Sequence, residues 1–572
     1  MTPAPFQRLI GLETEYAPFF HQVAPDRARP LPTLREVFDG FADALARRLP
    51  TAEGEFLYTH KASLFLANGG AVCFETINPA SGSGFIEGAT PECRSPRDAV
   101  VWQRAQDALF AEAAAEAGQR YGLDLRLLKN CRDALGHSYG AQESYDVLLA
   151  RGWRLWAWRL GVLLGLPLTF LLRIAAEVLA LLVVVANLLI AVPVYWLGRP
   201  RDPEQRKRWF VTCFGRFWVT NREVDAVWSQ WLDVIIIHLL ARLTFGVAGA
   251  YISLWFSLTQ ARQLQRRLLP FLVTRMIFAG AGRVVEGEPL HLSDKATSRN
   301  LDFVALPVPG WHAVYSLGAI LKAFMGWLMS RDRLRELWRP RTRLQIGIGD
   351  SNLCEQAEYL RVGATWLMIE AGEAGALEDL PRLKSPLKAM RAYDADPSLQ
   401  ARAPLAGGGS ASALEIQRAC CEACIRFLKS SKGVPAEAWE IAGLWYDVLQ
   451  RLETDRESLV GRVDWITKEY LLKQLGSQAS YAERKKIDLR YHELHPEGYF
   501  AQLQKTGLCV AVVDPEETDR ARRLGPPNSP AATRARFIRE HSGVEPLVVS
   551  WNRLLVGRPP RVQEVRFGMG EE

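Results

Sequence analysis

The 572-residue sequence lacks strong net charge, regular cysteine spacing and internal repeats. Its net charge of +7 is small for this length and argues against a nucleic-acid-binding protein. The basic residues instead cluster beside apolar runs, a pattern that favours contact with a membrane surface. The N-terminus has no charged stretch followed by an apolar core, so no signal peptide is predicted.

The nine cysteines are odd in number and follow neither disulfide nor zinc-finger spacing. The closest group, Cys420, Cys421 and Cys424, falls in a segment with helical periodicity, and no second CxxC pair accompanies it. The pattern therefore predicts buried or half-buried thiols in a reducing cytoplasm rather than a metal or redox site.

A long stretch without charge lies in the first half of the chain. No charged residue occurs between Val178 and Gly198, and about 20 such residues are enough for a helix to cross a bilayer. An earlier run, Leu160 to Leu172, is also uncharged. A later run, Val234 to Leu258, is interrupted only by His238 and Arg242.

Arginines and tryptophans flank these three runs, as they do at the edges of membrane-spanning helices. We therefore predict an all-helical membrane-type insert over residues 151–262, with residues 155–260 in contact with the lipid bilayer. Pro167 and Arg173 separate the first two runs and predict a helical hairpin. A buried helical subdomain or a dimer interface is the alternative.

Outside the insert, carboxylates recur at strand-like positions in the first 150 residues. Glu13 and Glu15 are two apart in an apolar strand pattern, so their side chains share one face. Further carboxylates lie at Glu75, Glu87, Glu92 and Glu143. Each one alone is usually a solvated strand residue, but together they predict a hard-oxygen site suited to Mg²⁺ and a nucleotide.

Several segments, in order along the chain, resemble the Pup ligase and Pup deamidase/depupylase family. They are RLIGLETEY, LANGGAVCFE followed by EGATPEC, KNCRDALGHSYGAQESY, LLPFLVTRMIFAGAGRV and LQIGIGDSNLCEQAEYLRVG. The family's fold is related to glutamine synthetase. The resemblance thus implies an α+β fold with a curved antiparallel sheet, interrupted by the insert and followed by a small C-terminal subdomain.

These features divide the chain into four predicted parts. Residues 1–150 and 263–485 are the two halves of a catalytic-type domain, residues 151–262 are the insert, and residues 486–572 are the C-terminal subdomain. Since both halves must build one sheet, the insert crosses a membrane an even number of times or not at all. The basic flanks predict a membrane-associated protein whose catalytic domain lies on the cytoplasmic face.

The resemblance also implies an activity and its residues. Members use Mg²⁺ and ATP to join the γ-carboxylate of a small modifier, Pup, to a protein lysine, and the depupylase branch hydrolyses the same amide. Glu75 takes the place of the catalytic carboxylate, as base or nucleophile. The residues implied in metal binding are Glu13, Glu15, Glu87, Glu92 and Glu143. Glu13 and Glu15 also bind the nucleotide, and Arg341 and Arg343 are candidates for its phosphate contacts.

The sequence departs from the family pattern at several of these places. Glu75 replaces an Asp, Cys73 a Tyr and Gln142 a His, and an Arg-rich segment before GDSN is absent. A catalytically degenerate, membrane-tethered binding protein is therefore an alternative to an enzyme. A depupylase is a second alternative, although residues 17–65 are too short for the extra loop of that branch and favour a ligase.

Overall fold

The computed structural model describes residues 5–23, 31–54, 63–75, 84–203, 205–206, 209, 244, 246–296, 314–328, 331–476, 478–558 and 561–567. The later part of the predicted insert, residues 210–243, thus lies outside the described residues. The strands are β1 Ile10–Gln22, β2 Thr51–Gly54, β3 Ser63–Leu66, β4 Ala71–Glu75, β5 Phe85–Ala89, β6 Leu123–Leu128, β7 Ala141–Leu148, β8 Tyr315–Ser316, β9 Arg341–Ile346, β10 Arg402–Pro404, β11 Ser410–Ser412, β12 Leu547–Val549, β13 Arg553–Arg558 and β14 Arg561–Arg566.

Helices make up much of the rest of the described chain. They are α1 Leu34–Arg48, α2 Pro96–Tyr121, α3 Gly152–Gly198, α4 Gly246–Phe256, α5 Gln260–Thr274, α6 Met276–Ala279, α7 Gly318–Gly326, α8 Arg331–Trp338, α9 Glu355–Glu373, α10 Pro386–Asp394, α11 Ala413–Ser430, α12 Ala436–Thr454, α13 Asp464–Gln474, α14 Tyr481–Tyr491, α15 Tyr499–Lys505, α16 Pro515–Ala521 and α17 Pro530–His541.

Twelve strands form one curled sheet in the order β14-β13-β12-β2-β3-β4-β5-β1-β7-β9-β8, and β6 pairs with the second half of β1. The prediction of an antiparallel sheet is wrong at one pair, because β12 lies parallel to β2. The reason is that the C-terminal segment returns along α17 and adds β12 to β14 at the sheet edge. The α+β class is confirmed, and the sheet is mixed.

Side chains alternate between the two faces of the central strands. Along β1, from Ile10 to Tyr16, every second residue is buried and the residues between them are half-buried. The buried face packs on α2, which begins at the capping hydroxyl of Ser95 and ends at Gly122 in the left-handed conformation, with φ of 69°. One face is therefore core and the other is open.

The predicted thiol group lies on α11, and all three sulfurs are buried as expected. Burial raises the pKa of the Cys420, Cys421 and Cys424 thiols, which keeps them protonated and unreactive.

The predicted hairpin between Leu160 and Gly198 is wrong, because α3 runs without a break from Gly152 to Gly198. Pro167 lies inside the helix, where its missing N–H removes only one backbone bond. At 1.5 Å per residue, the 47-residue helix is about 70 Å long. Arg173 also stays in the helix, paired with Glu177 at 2.9 Å.

The first half of α3 packs on the domain. Trp158 donates its indole N–H to the Leu337 carbonyl at 2.7 Å, and the Tyr251 hydroxyl of α4 donates to the Gly161 carbonyl at 2.7 Å. Among the described residues α3 is the one helix long and apolar enough to cross a membrane. Its mean hydropathy over Gly152–Leu179 is 2.0, and 17% of its most apolar stretch is buried.

Candidate active site

The open face of the central strands carries a row of acidic side chains. In the strand register Glu15 of β1 lies directly opposite Glu87 of β5, and Glu87 lies opposite Cys73 of β4. The Cys73 thiol is 3.4 Å from a carboxylate oxygen of Glu87. Two carboxylates that face each other across neighbouring strands repel, so this row favours a bound cation.

The backbone of Gly140 holds Glu15 in place through both its N–H and its carbonyl group. Its N–H donates to the Glu15 carboxylate at 2.5 Å, and its carbonyl accepts the Glu15 N–H at 2.9 Å. A Cβ on Gly140 would lie 2.6 Å from the Glu15 carboxylate, so a side chain at this position would force that carboxylate to move. The glycine therefore permits the close approach that orients the carboxylate.

Glu13 lies one step along β1 on the same face, opposite Gln142 of β7. Its carboxylate forms an ion pair with Arg343 and accepts a hydrogen bond from the Gln345 amide at 3.3 Å. Arg343 is 40% exposed, so its guanidinium reaches Glu13 from the open side of the sheet. This places one predicted phosphate contact beside one predicted metal ligand.

Glu75 is the last residue of β4 and shares the open face with Cys73. In the register it lies opposite Phe85, whose ring meets the edge of Tyr139 at 6.0 Å. The predicted catalytic carboxylate is therefore at one end of the acidic row, beside an aromatic wall.

The structure does not bring the other three predicted residues to this row. Glu143 points to the opposite, buried face of the sheet, where Arg275 and Arg361 hold its carboxylate at 2.5 and 2.9 Å. Glu92 lies beyond the end of β5, paired with Arg534 at 2.5 Å. Arg341 is the first residue of β9, two residues before Arg343, and its guanidinium lies 2.5 Å from the Asp146 carboxylate.

Glu143 is fully buried within a cluster of charges behind the sheet. Burial alone would raise the pKa of its carboxyl, but the Arg275 and Arg361 guanidinium groups outweigh burial and hold the pKa below its ordinary value. Glu358 pairs with Arg361 at 3.2 Å and extends the cluster. Its carboxyl pKa is likewise lowered, as Arg104, Lys129 and Arg361 outweigh burial.

The row suits a magnesium ion that arrives with phosphates. Within the described part of the chain, no group of three or more His, Cys, Asp or Glu side chains is arranged to hold a metal by itself. Mg²⁺ characteristically uses one or two carboxylates and completes its shell with water and substrate phosphates. Glu15 and Glu87 supply that number of carboxylates, so the donor set fits.

Sequence reasoning missed two residues that shape this region. Asp350, in the GDSN segment, accepts the backbone N–H groups of Ala281, Asp294 and Lys295 at 2.8, 3.0 and 2.9 Å. Lys295 itself reaches the Tyr139 carbonyl at 2.9 Å. The GDSN motif signalled an important loop, whereas nothing in the sequence around Lys295 distinguished it from an ordinary surface lysine.

Comparison with known proteins identifies a family that matches most of this chain. The model of a family described as "Pup-ligase protein" matches residues 8–555. The Pup–protein ligase of Corynebacterium aurimucosum is 31% identical over 318 residues, or 53% of this chain and 64% of the relative. The Pup–protein ligase of Corynebacterium jeikeium is 27% identical over 554 residues, or 93% of this chain and 88% of the relative. The first alignment thus spans less than two thirds of its relative.

Two solved structures share the fold. The ligase PafA in complex with the prokaryotic ubiquitin-like protein Pup matches with a TM-score of 0.64 at 19% identity, over 99% of this chain and 90% of that one. PafA in complex with ADP matches with a TM-score of 0.59 at 18% identity, over 96% and 94%. At these identities the likeness establishes the fold and leaves the chemistry to the residues of this chain.

Proposed function

We propose, since this chain belongs to the Pup-ligase protein family, that it is a Mg²⁺- and ATP-dependent ligase. The reaction joins the γ-carboxylate of a Pup-like modifier to a protein lysine. When bound, Mg–ATP would supply the phosphoryl group that activates this carboxylate and would leave as ADP, and phosphate would leave when the lysine amine attacks. The observation that carries the proposal is the opposed pair of Glu15 and Glu87 on the open face, with Glu75 at the end of the same face.

Each residue of the row has a separate role in this reaction. Glu15 and Glu87 would hold the metal, and the adjacent Glu13 and Arg343 would offer a further carboxylate beside it and a guanidinium group for the phosphates. Glu75 accepts the proton that the lysine ammonium loses before its amine attacks. The relatives named Pup–protein ligase, and the PafA structures with Pup and with ADP, support the modifier and the nucleotide.

The proposal is tested by conjugation. The detergent-purified protein is mixed with Pup bearing a C-terminal glutamate, a lysine-containing acceptor, Mg²⁺ and ATP, and conjugates are counted by gel and mass spectrometry. We expect conjugates that need ATP, and a loss of about 10²-fold or more in Glu75→Gln, since an amide cannot act as the base and general-base catalysis has effects of this size. ATP-independent release of acceptor from a preformed conjugate would instead identify a depupylase.

A binding protein without catalysis is the second candidate. It is favoured by the Glu13–Arg343 pair, which occupies both a metal ligand and a phosphate contact. Cys73 and Gln142, where the family has Tyr and His, point the same way. Binding of Pup without nucleotide turnover would support this candidate, and ATP-dependent conjugation would exclude it.

We further propose that α3 anchors the protein to a lipid bilayer, with the sheet on the cytoplasmic side. The uncharged stretch from Val178 to Gly198 is long enough to cross the hydrocarbon core, and described side chains along it, such as Leu181, Leu182 and Leu189, are exposed. Membrane fractionation tests this proposal. Recovery of the protein in the soluble fraction without detergent would contradict it.

A further inference from the structure

Lys295 differs from the other buried lysines of the described chain. Lys129 is 2.9 Å from Asp107, and Lys468 and Lys485 are 2.5 and 2.6 Å from Asp488. Lys295 is only 7% exposed, yet its ammonium group bonds to the neutral Ser138 hydroxyl and Tyr139 carbonyl and is in none of the ion pairs of the described residues. A nearly buried ammonium group without a counter-charge is costly, so this position favours an anionic ligand.

The ammonium group retains capacity for such a ligand. It donates to the Tyr139 carbonyl at 2.9 Å and to the Ser138 hydroxyl at 3.2 Å. A protonated lysine has three N–H donors, and these two contacts are neutral. One N–H donor of the ammonium group is therefore available to a phosphate oxygen.

The backbone around Lys295 is fixed before any ligand binds. One oxygen of the Asp350 carboxylate accepts the Lys295 N–H at 2.9 Å and the Ser293 hydroxyl at 3.0 Å. The other oxygen accepts the Asp294 N–H at 3.0 Å. Because this loop is clamped, the lysine side chain is directed to one place at little entropic cost.

That place adjoins the acidic row. The peptide unit between Tyr139 and Gly140 accepts the Lys295 ammonium at its carbonyl and donates its N–H to Glu15 at 2.5 Å. A single peptide unit thus separates a cation from the carboxylate that faces Glu87. A Mg–nucleotide presents positive metal and negative phosphate side by side, and this arrangement presents the complementary charges.

We infer that Lys295 binds the phosphate oxygens of the nucleotide while Glu15 and Glu87 bind its metal. The inference rests on the proposed function and deepens it, because it names the group that recognises the phosphates in a chain where the family's Arg-rich segment is absent. A purely structural role would be to support the Tyr139 carbonyl. The two roles differ in whether the positive charge is required.

Two variants separate these roles by calorimetry with Mg–ADP. Lys295→Gln keeps an N–H donor for the Tyr139 carbonyl but removes the charge, and Lys295→Arg keeps the charge. We expect Lys295→Gln to weaken Mg–ADP binding at least tenfold and to reduce its salt dependence, whereas Lys295→Arg stays within about threefold. The matched control is Lys432→Gln at an exposed lysine, which should change neither quantity.

Thermal unfolding of each variant shows whether it is folded. Binding by folded Lys295→Gln within twofold of the unmutated protein, with the same salt dependence, would overturn the inference and leave the proposed function standing. If Lys295→Gln does not fold, Lys295→Arg decides: a tenfold loss in that folded variant would equally overturn the inference. No Mg–ADP binding by the unmutated protein would overturn both the inference and the proposed function.

Discussion

At the scale of residues, Glu143 joins the sheet to the helices behind it. Its carboxylate is fully buried and lies between Arg275, which directly follows α5, and Arg361 of α9. Its neighbour Tyr145 donates a hydrogen bond to it at 2.7 Å. Removal of the carboxylate charge would leave the buried Arg275 without an ionised partner and Arg361 with Glu358 alone, which is strongly destabilising.

We predict that Glu143→Gln lowers the free energy of unfolding by about 3–5 kcal/mol at pH 7. Since the Glu143 pKa is held below its ordinary value, the folded protein prefers the ionised form. This contribution is present at neutral pH and is lost as pH falls through about 4 and below. Urea unfolding from pH 7 down to about pH 3 should therefore show a shallower loss of stability with acid in the variant.

The matched control for this prediction is Glu440→Gln, at an exposed residue of α12. It should change stability by less than about 0.5 kcal/mol at any of these pH values. A Glu143→Gln protein as stable as this control, or with an unchanged acid slope, would show that the carboxylate does not hold the two arginines.

Arg534 performs a similar function at the C-terminal edge of the sheet. Its fully buried side chain pairs with Glu92 at 2.5 Å, donates to the Gly69 carbonyl at 2.7 Å and stacks over Trp551 at 4.7 Å. We predict that Arg534→Met costs about 2–4 kcal/mol by urea unfolding, because Glu92 and the carbonyl lose their partner.

Arg536→Met is the control for that measurement. Arg536 lies on the same helix but is exposed, and its one ion pair, to Glu540, is long at 4.0 Å and exposed on both sides. A double-mutant cycle of Arg534→Met with Glu92→Gln then measures the coupling of the pair. Equal losses in the two arginine variants, or zero coupling, would contradict a structural pair at Glu92. If Glu92→Gln also weakened Mg–ADP binding, a metal role would be restored.

Part of this site could be predicted residue by residue. The period of two along a strand predicted correctly that Glu13 and Glu15 share a face. It does not determine which face of β7 opens, because that depends on the register with β1. The register placed Gln142 on the open face and Glu143 behind it. Lys295 could not be predicted from the sequence. Its importance rests on the neutral groups that surround its ammonium group, and these come together only in the tertiary structure.

At the scale of elements, α3 and α4 form an antiparallel pair that returns the chain to the domain. Gly161 of α3 approaches Trp255 of α4 closely, and Gly165, one turn later, approaches Tyr251. The contacts thus move in opposite directions along the two helices. The chain therefore leaves and re-enters the domain at neighbouring points, and the segment between them is removable in principle.

We predict that replacing residues 173–243 with a short Gly/Ser linker gives a folded protein. It should appear in the soluble fraction without detergent, because the exposed apolar part of α3 is gone. Its Mg–ADP affinity should match that of the full chain, since the acidic row lies on other strands. Ultracentrifugation and calorimetry measure these two properties.

The full-length chain, fractionated in parallel, is the control. A shortened protein that still needs detergent would mean that the remaining helices contact lipid. A shortened protein that folds but no longer binds nucleotide would mean that the insert is part of the catalytic domain.

Sequence patterns predicted the α3 helix but not its length. The absence of charge from Val178 to Gly198 predicted a helix correctly, since length and apolarity are local properties. The continuation of the helix through Pro167 was not predictable, because a proline interrupts one backbone bond and the packing of Trp158 and Tyr251 around it decides whether the helix continues.

At the scale of the whole molecule, the insert divides the sequence but not the fold. β7 ends at Leu148 just before α3, and β9 begins at Arg341 after the insert, yet the two strands pair over six residues. The ordered motifs on both sides of the insert made a single sheet predictable. The parallel pairing of β12 with β2 was not predictable, because no local pattern specifies a partner about 490 residues away.

The central claim is that the acidic row on β1 and β5 binds Mg–nucleotide. The most direct test is calorimetry of ATP binding to the detergent-purified protein, with and without Mg²⁺, for the unmutated chain, Glu15→Gln and Glu87→Gln. The control is Glu53→Gln on β2, an exposed carboxylate in the same sheet. We predict binding that requires Mg²⁺, a loss of at least tenfold in both row variants and none in the control. Binding that is unchanged in folded Glu15→Gln and Glu87→Gln, or absent from the unmutated protein, would contradict the account.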